Sequence, residues 1–174
     1  MKHILRVTLA LTLAVCLSAS AALPASAAGP DAVPSADTPI YSAQNVVINS
    51  PTDAVELSAD LVNTLKGLHN ASIIVKYQNT NTSVGSFFSI SDPTKVNAHF
   101  HIYESGNAFG FELRNSDNPK YSGTCRVYGG ELNTVAFKAE AGVGYKLFAN
   151  GELGSAVSKT GADYLFLDDM NGLT

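Results

Sequence analysis

Five side chains in this sequence could do chemistry together: His99, His101, Tyr103, Glu112 and Arg114. They fall on two runs of strict alternation either side of a turn, the pattern of a β-hairpin with one buried and one open face. Glu112 and Arg114 stand two residues apart, so a carboxylate and a guanidinium project from the same face about 7 Å apart. A planar guanidinium pairs bidentately with a carboxylate, so an arginine on a rigid strand suits an acidic ligand better than a neutral one. Tyr103 gives an amphipathic wall, and Gly110 leaves room for a ligand ring to lie on the sheet. Two imidazoles and one carboxylate are also a donor set that suits zinc. Neither a fourth donor nor a supporting pattern accompanies them, so the expectation is a structural or ligand-contacting role for His99 and His101, with no metal and no cofactor. The plainer alternative is a solvated strand face whose ion pair contributes little.

Other reactive residues carry weaker signals. Glycoside hydrolysis needs two carboxyl groups flanking a cleft, roughly 5 to 10 Å apart, and Glu112 is followed by Leu113-Arg114 rather than by a second acid. Catalysis by this chain alone is therefore not expected. Cys125 has no His and Asx partners that sequence can place beside it and reads as a buried, inert thiol. Asp168-Asp169 lacks the spacing of a calcium loop and reads as a capping cluster.

The element that must position the site runs from Asn97 to Arg114. With Ser105-Gly106 as the loop, Glu104 faces Asn107, Ile102 faces Phe109 and Phe100 faces Phe111, and the last four form the core face. The other face then sets Tyr103 beside Ala108, His101 beside Gly110, His99 beside Glu112 and Asn97 beside Arg114. Further strands are expected over 72–78, 86–91, 124–128, 133–140, 145–150 and 153–158, with an edge strand over 54–58. Asp60 is expected to cap a helical turn from Leu61 to Leu65 that ends at Gly67. Turn signals such as Asp92-Pro93, Gly129-Gly130 and Asn150-Gly151 separate the strands too closely for crossover helices. A parallel α/β sheet is excluded, and an all-β antiparallel jelly-roll sandwich remains. The stretch 162–170 reads as a turn or short helix that should feed one more strand, so the sandwich is expected to lack its closing strand.

Lys2, His3 and Arg6 precede an apolar run from Val7 to Leu17, and Ala25-Ser26-Ala27 supplies small residues for cleavage. Residues 1–28 thus read as a signal peptide of a secreted protein, too short in its apolar run for a membrane span. Residues 29–50, rich in Pro, Ala and Ser, read as a flexible linker, and 51–174 as one domain. Loss of Cys16 with the leader leaves Cys125 as the sole thiol, so stability must come from packing rather than from a disulfide. A net charge of -4 with scattered Lys and Arg argues against a nucleic-acid surface.

The order of Ser72-Ile73-Ile74-Val75-Lys76-Tyr77, Ser86-Phe87-Phe88-Ser89-Ile90-Ser91, His99 to Tyr103, Glu112-Leu113-Arg114 and Asn133-Thr134-Val135-Ala136-Phe137 resembles the N-terminal lectin-like domain of secreted bacterial sialidases. That family is the sialic-acid-binding carbohydrate module of family 40. The resemblance covers about 49–174 and implies a concanavalin-A-like sandwich that precedes a separate catalytic propeller. It further implies that Arg114 meets the sialic acid carboxylate and that Glu112 accepts hydrogen bonds from the sugar's amide or hydroxyl groups. Tyr103 would line the pocket, and Val84, in Ser83-Val84-Gly85, would touch the N-acetyl methyl. The family's second carboxylate-binding arginine lies on the closing strand, which this sequence does not reach. The implied partners are sialylated glycans and a downstream propeller in the parent protein.

Overall fold

The computed structural model describes residues 8–12, 41, 46–47, 55–78, 85–115 and 120–170. Their elements are β1 (Thr8–Thr12), β2 (Val46–Val47), α1 (Ala59–Leu65), β3 (Ala71–Gln78), β4 (Gly85–Ser91), β5 (His99–Ser105), β6 (Ala108–Arg114), β7 (Tyr121–Arg126), β8 (Leu132–Glu140), β9 (Gly144–Ala149) and β10 (Glu152–Ser158). They form two antiparallel sheets, one ordered β10-β9-β8-β3-β1-β2 and the other β4-β5-β6-β7. Among the described residues the sandwich is all-β apart from α1 and two single 3₁₀ turns, at Gly161–Asp163 and Leu167–Asp169.

The sheets are joined through aromatic rings. Phe100 of β5 and Phe111 of β6 each meet Phe137 of β8 with ring centroids 5.0 Å apart, and Phe111 lies 5.4 Å from Tyr145 of β9. Phe100, Ile102, Phe109 and Phe111, the four residues expected on the core face, are all fully buried. Complete burial of one such side chain stabilises the fold by about 1.5–3 kcal/mol, so the face that points inward is not negotiable.

The hairpin register differs from the expected one by two residues. His99 faces Arg114, His101 faces Glu112, Tyr103 faces Gly110 and Ser105 faces Ala108, which makes Gly106-Asn107 the loop. The hairpin turns that match strand twist need a positive φ at their first central residue. Gly106 supplies it, with φ 61°, whereas a Ser105-Gly106 loop would put a side-chain-bearing residue there. A shift of two preserves the faces, so the same side chains stay in the core and Glu104, now opposite Phe109, is buried with them. At Asn150-Gly151 the residues have φ 51° and 92°, the paired left-handed conformation that the dipeptide signals.

Three further boundaries moved. Val55–Ser58 joins no sheet, and Ser58 rather than Asp60 caps α1: its Oγ accepts the Leu61 N–H at 3.2 Å. Asp60 sits in the first turn, where its charge faces the positive end of the helix. The strand β7 begins at Tyr121, three residues early, because it pairs along β6 from Leu113 onward. Gly123 conceals it in the sequence, yet a Cβ there would lie 3.1 Å from the Phe111 ring and 3.0 Å from Ser155 Oγ, so the strand needs a residue without one.

The stretch expected as a turn or short helix forms the two 3₁₀ turns and packs down on the sandwich; the residues that would lead on into another strand lie outside the described ones. Tyr164 Oη donates to the His69 carbonyl at 2.6 Å, and Tyr145 Oη donates to the Leu165 carbonyl at 2.5 Å. The apolar run read as a leader contains β1, which pairs antiparallel with β3 from Thr8↔Gln78 to Thr12↔Ile74. No helix among the described residues is long and apolar enough to cross a membrane.

Candidate ligand-binding site

The outer face of β5 and β6 carries His99, His101 and Tyr103 in one row and Glu112 and Arg114 in the next, all half-buried. The rings of the first row follow one another along the strand. His99 and His101 have centroids 5.3 Å apart, and His101 meets the Tyr103 ring edge-on at 5.0 Å. Alternation puts them on one face, and contact between neighbours in the row holds their orientations.

Gly110 does not leave an open floor. A Cβ built there would stand 2.8 Å from Tyr103 Cζ and 2.9 Å from its Oη, so the space above the glycine is taken by the Tyr103 ring. The residue without a side chain seats the aromatic residue opposite it, the cross-strand arrangement by which aromatics shield strand glycines. A ligand ring therefore meets the edge or outer face of Tyr103 and not bare sheet.

Glu112 is the electrostatic centre. Its Oε1 lies 3.2 Å from His99 Nε2, and its Oε2 forms a short ion pair with Lys120 Nζ. Burial opposes its ionisation, but the hydrogen bond and charge of Lys120, with His99 behind them, outweigh that and hold its carboxyl below the usual range. Burial also lowers the His101 pKa, with the His99 charge adding to it and Glu112 working against it. Sequence reasoning missed Lys120. The β6/β7 register, continued one residue past Leu113↔Tyr121, sets it opposite Arg114, but that signal existed only once the true start of β7 was known.

Among the described residues no carboxylate pairs with Arg114, because Glu112 is engaged by Lys120 and His99. The site thus offers one guanidinium, one ammonium, one oriented carboxylate and a wall of rings. It can hold an anionic group at Arg114 and accept hydrogen bonds at Glu112. Val84 lies outside the described residues; Gly85, next in the chain, opens β4 opposite Glu104.

The donor atoms of His99, His101 and Glu112 all lie within 4.8 Å of one another, as do those of His69, Asp168 and Asp169 on an exposed corner. In that second group Asp169 Oδ2 accepts the Phe166 N–H at 2.9 Å, the capping role its sequence context indicates. Cys125 is buried, and burial pushes its thiol up to about 11, which keeps it protonated and unreactive.

The family model described as "Sialidase, N-terminal domain" matches residues 40–174. The chain belongs to the sialidase N-terminal domain family. This sialidase N-terminal domain is similar to a solved structure, the CBM40 of the Ruminococcus gnavus IT-sialidase bound to α2,3-sialyllactose. The two share 34% identity over 64% of this chain and 63% of that one, with a TM-score of 0.57. Among curated protein sequences none matches.

Proposed function

We propose that this domain is a binding module for terminal sialic acid on glycans, with Arg114 as the clamp for the sugar carboxylate. The observation that carries the reading is the guanidinium of Arg114, half-buried on the rigid outer face of β6 with no described carboxylate on it. Similarity to a domain solved with sialyllactose supports the same ligand class. Glu112, preoriented by Lys120, accepts from the sugar's amide or hydroxyl groups, and the rings of Tyr103, His101 and His99 border the pocket. Val84 is assigned to the N-acetyl methyl. We further propose that the protein is exported, with residues 1–28 as its leader and 29–50 as a linker. Removal of the leader would take β1 with it and leave the β3 edge from Ile74 to Gln78 to another partner. The module's contribution is local concentration: weak binding to a sialylated surface raises the encounter rate of an attached enzyme. On this reading hydrolysis belongs to a catalytic propeller elsewhere in the parent protein.

Arg114→Ala tests the assignment. Hydrogen bonds to charged groups contribute about 1.5–3 kcal/mol, so 3′-sialyllactose affinity should fall by tenfold or more, with Arg114→Lys intermediate because it keeps the charge and loses the fork. The melting temperature should barely move, since the side chain lies on the outer face. Unchanged affinity in titration calorimetry with Arg114→Ala would place the sugar elsewhere.

A further inference from the structure

We propose that His99, His101 and Glu112 form a binding site for a divalent transition-metal ion, with zinc the best fit. His99 and His101 stand two apart on β5, and Glu112 is the residue directly opposite His101 on β6. All three side chains therefore rise from one rigid patch of sheet, and their donor atoms lie within 4.8 Å of one another. His99 Nε2 and Glu112 Oε1 are already 3.2 Å apart. Nitrogen and oxygen ligands at about 2.0–2.1 Å from a tetrahedral zinc are separated from each other by roughly 3.3 Å, so the two atoms already stand at ligand separation, and an ion beside the line that joins them needs the imidazole and carboxylate to turn toward it rather than to move apart. The strands thus bring all three donors to within 4.8 Å of one another before any ion arrives.

The carboxylate is also correctly divided. Lys120 holds Oε2, leaving Oε1 toward His99, and an outer partner of this kind orients a metal-binding carboxylate. Two imidazoles select zinc, cobalt, nickel or copper over magnesium and calcium, which prefer all-oxygen sites. The side chains of His99 and Glu112 are 25% and 16% exposed, so solvent water can reach the site to complete the coordination. Zinc held here draws on the same Glu112 that the sialoside needs, so zinc and the sugar compete; this consequence, unlike the metal site, rests on the sugar reading.

The test uses the full, untagged chain, stripped of metal by a chelator and titrated with Zn²⁺ in a calorimeter and with Co²⁺ in the visible. One equivalent of either ion should bind, with the d–d bands of four-coordinate cobalt, and magnesium should not displace it. His101→Asn and Glu112→Gln, each first shown by thermal melting to be folded, should weaken zinc binding by about tenfold or more, while His69→Ala leaves it unchanged. Absence of one-site zinc binding, or binding retained in both folded variants, overturns the proposal. 3′-Sialyllactose is then titrated in chelator and in saturating zinc. Weaker binding in zinc supports the competition, and equal affinity removes it without touching the metal site. Absence of sialyllactose binding in both solutions ends the sugar reading and the competition together, and leaves the zinc result to stand by itself.

Discussion

Replacing Gly110 with alanine probes the joint between the fold and its outer face. The new methyl would lie 2.8 Å from Tyr103 Cζ, 2.9 Å from Tyr103 Oη and 3.1 Å from Thr124 Cγ2. Distances this short require movement, and the aromatic ring, as the end of a side chain, is what moves. Crowding of this kind costs about 1–3 kcal/mol, against about 0.4–1 kcal/mol returned by restricting the unfolded chain. Gly110→Ala should therefore lower stability by about 1 kcal/mol, or about 2–4 °C in melting temperature for a chain of this size. In a Tyr103→Ala background the ring is gone and the same substitution should be neutral or slightly stabilising, because only the Thr124 methyl must give way. The double-mutant cycle, read by urea unfolding, should report a coupling of about 1–1.5 kcal/mol between two residues that face each other across β5 and β6. If Gly110→Ala is neutral in both backgrounds, Tyr103 does not sit over Gly110 and the wall of the pocket has been misplaced.

Ser58→Ala should cost about 1 kcal/mol through loss of the α1 cap, and Asp60→Ala about 0.3–0.5 kcal/mol through the helix dipole alone; thermal melts of the two variants order them. Lys120→Ala should raise the Glu112 pKa, because burial still opposes ionisation while the Lys120 hydrogen bond and charge that lower it are lost, as NMR titration of that carboxyl would show. Because the lowered pKa favours the folded state at neutral pH and that contribution is lost as pH falls through it, the variant should show a shallower loss of stability in the acid range where carboxylates titrate. The change at neutral pH should stay under about 0.5 kcal/mol, since the Lys120 side chain is 43% exposed. Cys125, with a pKa near 11, should resist iodoacetamide at pH 8 in the folded chain and label fully in urea, as read by peptide mass spectrometry.

Most of the sandwich was legible because its signal is local. Alternation in Phe100-His101-Ile102 and in Phe109-Gly110-Phe111 states which side chains go inward, and a fully buried ring on the wrong face would forfeit about 2 kcal/mol. The family resemblance was legible for the same reason, since it follows the order of such strands. Ser58 was overlooked because Val55-Glu56-Leu57 alternates like a strand and draws Ser58 into it, although none of the described residues pairs with that segment. The start of β7 was overlooked because Gly123 breaks the pattern, and only its neighbours in the folded sheets, Ser155 Oγ and the Phe111 ring, explain why glycine is there.

Residue types and their period determined the two sheets, the buried aromatic core and the face on which His99, His101, Tyr103, Glu112 and Arg114 stand. Which of those side chains touch was decided by tertiary structure. A period of two is blind to a two-residue slip, so the sequence carried two hairpins with identical faces and different neighbours. The positive φ of Gly106 chose between them, and with that choice His101 came opposite Glu112 and Tyr103 came over Gly110. Lys120 reached Glu112 only through the pairing of β7 with β6. Charge pairs and donor clusters depend on distances of a few ångströms between residues far apart in the chain, and those distances exist only after the strands have found their register.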